Sequence, residues 1–124
     1  MSVIKINNIT NLAGGIPTVK GQQLIPTAWV NFNGTSTVAI RDSENVSSIS
    51  DLGTGNYQIN FATAMANTNY AIACSASDGG ITNSDTFVNP YNFTTAAVKI
   101  GTNNNSGVLG DRGFTSVLAM GGQS

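Results

Sequence analysis

Histidine is absent from this chain of 124 residues, cysteine and tryptophan occur once each, proline three times, and charged side chains make up only 9% of the whole. Each shortage excludes something. Without His, the commonest general base near neutral pH and the commonest metal ligand are missing. Cys74 stands alone, so no intrachain disulfide can form and packing or subunit association must hold the scaffold. A single Cys in a strand reads as a small core hydrophobe, and no base accompanies it to make a nucleophile. The serines lack a nucleophile-elbow setting, and Gly53-Thr54-Gly55 opens a strand rather than a helix, which excludes a phosphate-cradling loop. The carboxylates Asp42, Glu44, Asp51, Asp78, Asp85 and Asp111 fall mostly in turns, where Asp caps backbone, rather than in the facing pairs that glycoside hydrolysis needs. No enzymatic activity is expected. Five basic residues scattered singly, a net charge of −1 and a pI near 4.9 argue against nucleic acid as a partner. No apolar run reaches signal-peptide or membrane-spanning length, so the chain reads as a protein made in a cytosol, without export signal or membrane insertion.

What is present is a sufficient apolar fraction, 40%, set among Asn, Thr and Ser. The length fits one core and one domain. Such a surface binds by hydrogen bonding more than by charge. Residues 1–21 carry Val3, Ile4, Ile6, Ile9 and Leu12 in a spacing that fits a strand or a helical turn equally, then Gly14-Gly15, Pro17 and Gly21 break regular structure. They read as an N-terminal arm for anchoring or oligomerisation, or as a frayed terminus, and residues 22–124 as the head domain.

Within the head, strand patterning is dense from Ala28 to Met65. Ala28-Trp29-Val30-Asn31-Phe32 reads as a strand with Trp29 in the core, and Asn33-Gly34 is the signal of a tight type I′ turn into Thr37-Val38-Ala39-Ile40-Arg41, the two strands forming a hairpin or crossing to opposite sheets. Residues 42–45 read as a turn, and Val46, Ile49 and Leu52 as an imperfect strand. The cleanest period of two follows: Tyr57, Ile59 and Phe61 alternate with Asn56, Gln58 and Asn60, so one face is core and the other is wet or subunit-facing. Further strands are predicted from Tyr70 to Ala76, whose second face carries only Ala and Ser, from Phe93 to Ile100 and from Phe114 to Met120. Residues 78–92, holding Phe87 and Tyr91 with a short strand at 86–89, and residues 102–113 read as long loops. Together these predict an all-β fold, a single antiparallel β-sandwich of seven or eight short strands.

The segments AWVNFNG (28–34), VAIR (38–41), NVSSI (45–49), GTGNY (53–57) and FATAM (61–65), in that order and spacing, resemble a module of phage virion structural proteins, especially tail-fibre and receptor-binding proteins of cyanophages and other marine phages. The match covers about a third of the chain and fades after Ser77. The resemblance implies a homotrimer of β-sandwich heads in the virion, joined to other virion proteins, and attachment to a host cell-surface polysaccharide.

Loops on a rigid scaffold commonly carry recognition. Asn83, Asp85, Tyr91, Asn92, Asn103, Asn104, Asn105, Asp111 and Arg112 there combine amides, carboxylates, a guanidinium and an aromatic ring that suit sugar hydroxyls and a pyranose face, against the plainer reading of solvated connections. Asp42 with Glu44, or Asp78 with Asp85, could offer oxygen ligands to a hard cation, yet the spacing matches no cation loop and Asx-turn capping explains them as well. No cofactor or metal is expected. The alternatives to a receptor-binding head are a capsid- or tail-decorating accessory protein that stabilises the particle and, more remotely, a cellular lectin.

Overall fold

A computed structural model describes residues 2–10, 12, 15–19, 22–80 and 86–123. Its strands are β1 (Thr18–Val19), β2 (Gln22–Gln23), β3 (Ala28–Asn33), β4 (Ala39–Glu44), β5 (Val46–Gly53), β6 (Asn56–Phe61), β7 (Ala71–Ser77), β8 (Phe87–Tyr91), β9 (Ala97–Asn103) and β10 (Phe114–Met120). Among the described residues there is no helix. Two four-stranded antiparallel sheets, in the orders β4-β3-β10-β7 and β5-β6-β9-β8, form a β-sandwich, and β1 pairs with β2 outside it. β2 begins at Gln22, just past the expected limit of the arm. Residues 2–10 carry no regular structure and leave Val3, Ile4, Ile6 and Ile9 exposed.

The core lies between the central strands, because only they have a neighbour on both sides and a second sheet across from them. Ala28, Val30 and Phe32 of β3 and Val117 and Ala119 of β10 face Tyr57, Ile59 and Phe61 of β6 and Val98 and Ile100 of β9. Phe32 meets the Tyr57 ring edge-on at 5.2 Å, and Phe61 meets Tyr70 at 5.6 Å; such pairs add roughly 0.5–1.5 kcal/mol beyond the area they bury. Val38, just ahead of β4, and Ile40, Ile49, Ile72, Cys74 and Val88 on the outer strands close the core as half-buried neighbours. Among the described residues no helix is long and apolar enough to cross a membrane.

Several local expectations are corrected. Trp29 is not core: it alternates against the buried Ala28, Val30 and Phe32 and stands half-buried on the outer face of its sheet. Strand parity prevails over hydrophobicity here, since one strand cannot send adjacent residues to the same side. Asn33-Gly34 does not make a two-residue turn. The connection runs over residues 34–38 with Ser36 at φ 57°, while Asn33 caps it by accepting from the Thr35 amide and hydroxyl at 3.1 and 2.7 Å. Gly34 is required for close packing: a Cβ there would stand 2.5 Å from the Tyr57 hydroxyl oxygen. Residues 42–44 belong to β4, and the turn is compressed into Asn45, at φ 54°, where the chain crosses between sheets. Finally, β9 begins at Ala97 and continues to Asn103, so residues 102 and 103 are strand rather than loop.

Candidate functional site

Three connections, residues 34–38, 54–55 and 104–113, gather at one end of the sandwich, together with the end of β7 and the start of β8. Asp111 is drawn into their base, where its Oδ1 accepts from the Gly55 amide at 2.7 Å and from the Tyr57 hydroxyl at 2.8 Å. The Tyr57 hydroxyl lies within reach of the Gly34 carbonyl as well, at 2.9 Å. Burial first, then the bond to and the charge of Asp111, push the Tyr57 hydroxyl far above its ordinary range, so it is a fixed neutral donor rather than an acid or base. Thr102 Oγ1 donates to the Gly110 carbonyl at 2.6 Å, and Arg112 donates from Nε to Thr86 Oγ1 at 3.0 Å. Asn104 caps its own loop by accepting from the Ser106 and Val108 amides. Asp111, Arg112 and Asn104 therefore spend their polar groups inside the loop end, whereas Asn105 is exposed on it. Asn83 and Asp85 lie outside the described residues. Asn92 sits at φ 49° in the turn that leaves β8.

Tyr91 and Asn103 fall instead on the outer face of the second sheet. Alternation on β6, β9 and β8 turns Asn56, Gln58 and Asn60, then Lys99, Gly101 and Asn103, then Phe87, Asn89 and Tyr91 outward. The pairing Asn56↔Gly101↔Asn89 is flanked by Gln58↔Lys99↔Tyr91 and by Asn103↔Phe87, so three strands present one amide-rich field. Its members are ordered by bonds among themselves. Asn89 Nδ2 donates to Asn103 Oδ1 at 2.6 Å, Gln58 Nε2 to Asn60 Oδ1 at 2.8 Å, and Asn60 Nδ2 to the hydroxyls of Ser48 and Ser50 at 3.0 and 2.9 Å. The Tyr91 hydroxyl donates to Asn56 Oδ1. Because Tyr91 is opposite Lys99 while Asn56 is opposite Gly101, this bond carries the ring across β9 between those two positions. Phe87 remains 53% exposed and Tyr91 41%.

The outer face of the first sheet has the opposite chemistry. Trp29, Leu118 and Ala73 are aligned across β3, β10 and β7, with Asn31, Ser116 and Ser75 in the next row, and they line a shallow groove of about 370 Å³. At its upper end the Arg41 guanidinium lies 4.1 Å from the centre of the exposed Phe114 ring and donates to the Gly113 carbonyl at 2.6 Å. Cys74 faces inward with its Sγ 3.7 Å from the Val88 carbonyl, and burial pushes the thiol above its ordinary range. Among the described residues no cluster of three or more His, Cys, Asp or Glu could hold a metal ion.

The amides of β6 were visible in the sequence as the polar half of a clean alternation, and Phe87 as an aromatic among turn residues. Lys99 had a weaker signal, as the single charge in its predicted strand. What could not be read was that strands 30 to 50 residues apart in sequence would lay these side chains side by side. No family model, curated protein or solved structure matches the chain.

Proposed function

We propose that this chain is the head of a virion attachment protein, of the phage tail-fibre type that residues 28–65 resemble, and that it holds a host cell-surface glycan while assembled as a homotrimer. The observation that carries this reading is the contrast between the two outer faces of the sandwich. One displays Trp29, Leu118 and Phe114 around small residues, with Arg41, Asp42 and Glu44 confined to its β4 edge; its apolar centre suits burial against other copies of the chain. The other is a field of ordered amides with two exposed aromatic rings, the chemistry that meets sugar hydroxyls and pyranose faces. An attachment head needs both, because weak single-site contacts become useful only when several copies engage together. The test is retention of the purified protein on cells of its host, with subunit number measured by light scattering. A trimer that binds those cells supports the reading; a trimer that binds none overturns it.

A particle-decorating role is the second reading, supported by the exposed Val3, Ile4, Ile6, Ile9 and Leu12 of the arm, which would be covered by a neighbouring virion protein. Removal of residues 1–21 should then abolish incorporation into particles while the sandwich still folds.

A further inference from the structure

We infer that the outer face of the β6-β9-β8 sheet is the glycan site itself, that Tyr91 is its stacking ring, and that Lys99 selects an acidic polysaccharide. This rests on the attachment reading and names its ligand.

Three features lead there. The first is the placement of Tyr91. A phenol free in solvent would sample several rotamers, but its hydroxyl is tied to Asn56 two strands away, so the ring is held across β9 while it stays 41% exposed. A ring so tethered and exposed can accept the flat, C–H-bearing face of a pyranose, and the loss of freedom has already occurred before the ligand arrives. Gly101, between Asn56 and Asn89, has no side chain of its own and is bordered by Leu109, whose Cδ2 would lie 3.6 Å from a Cβ there.

Length is the second. Phe87 and Tyr91 project from the same side of β8, four residues and therefore about 13 Å apart, with the Asn89–Asn103 amide pair between them. Two rings so spaced with amides between them match an extended chain of sugars rather than one monosaccharide.

Charge is the third. Lys99 stands directly opposite Tyr91 and beside Gln58, partly buried, with no acidic partner among the described residues. The remaining outward side chains of β6, β8 and β9 are neutral. An ammonium group set in an otherwise neutral hydrogen-bonding field attracts a ligand carboxylate, as on a uronic acid, without a nearby acid to compete.

The experiment uses the full chain and two purified polysaccharides, alginate as a linear polyuronate and dextran as a neutral glucan, in affinity electrophoresis, with host-cell retention measured in parallel. Wild type should be retarded by alginate more than by dextran, and added NaCl should weaken only the alginate interaction. Tyr91→Ala should weaken alginate binding by about tenfold or more, as expected for a truncated aromatic anchor. Phe87→Ala should weaken it less, and Lys99→Gln should abolish the preference for alginate over dextran. Tyr91→Phe keeps the ring and should retain most of the binding, and circular dichroism confirms that each variant is folded. Alginate binding unchanged in folded Tyr91→Ala, or a preference unchanged in Lys99→Gln, overturns the inference. Wild type that is held by host cells but by neither polysaccharide overturns it too, while leaving the attachment reading intact; failure on host cells overturns that reading instead.

Discussion

Tyr57 and Asp111 illustrate how one buried pair can organise several loops. The phenol packs in the core against Phe32, while its hydroxyl reaches the base of the loop end, where Asp111 also receives the Gly55 amide. The pair is intolerant of added volume at Gly34, whose hypothetical Cβ would be 2.5 Å from the hydroxyl and 3.0 Å from the Arg112 carbonyl oxygen. Gly34→Ala is therefore expected to cost about 1–3 kcal/mol in urea unfolding. Alkaline pH should act on the same group. Burial raises Tyr57 and Tyr70 above the ordinary value of 10.0 in the folded state, so the unfolded chain releases its phenolic protons first. The unfolded state then holds fewer protons, and stability, constant through neutrality, should fall as pH rises above about 10. Thermal melts between pH 8 and pH 11 check this, and Tyr57→Phe should flatten part of the decline.

Elements are joined here by corners as much as by ladders. Asn45 connects β4 in one sheet to β5 in the other within a single residue, in a left-handed conformation. Its side chain donates to the Thr27 and Thr63 carbonyls, both at 3.2 Å, and accepts from the Thr63 amide at 2.7 Å. Replacement by Ala loses these bonds and strains the backbone; replacement by Gly loses only the bonds. Asn45→Gly should thus be more stable than Asn45→Ala by about 1–2 kcal/mol in denaturant unfolding. The alternation of β6 and the closing strand β10 could be read before folding, because period-two hydrophobicity reports directly on which side is buried. The corner at Asn45 could not: residues 42–45 have the composition of a turn, and only pairing with β3 draws residues 42–44 into a strand. For the same reason β9 extends through Asn103, whose pairing with Phe87 outweighs its loop-like neighbours.

Across the whole molecule, two sheets that share one core carry unlike outer faces. Since the buried side is complete without Trp29, Leu118 and Phe114, these residues are free to serve association. Leu118→Asp places a charge at the centre of that face, without touching the core, and should reduce the proposed trimer to monomers by light scattering while leaving the circular dichroism of the head unchanged. If the wild type self-associates, its melting temperature should also rise with protein concentration, and that dependence should vanish in the variant.

Composition and periodicity were enough to define an all-β sandwich, a chain without His-based chemistry or a disulfide, and an amide-rich surface, because these depend on residue type and on neighbours one or two positions away. The destination of individual side chains was a different matter. Trp29 turned outward, Asp111 and Arg112 turned inward to hold loops together, and Tyr91 joined Asn56 and Lys99 on one face. Those outcomes follow from strand order and register, which are set by contacts between residues far apart in the chain, so they existed nowhere until the two sheets were paired and closed on each other.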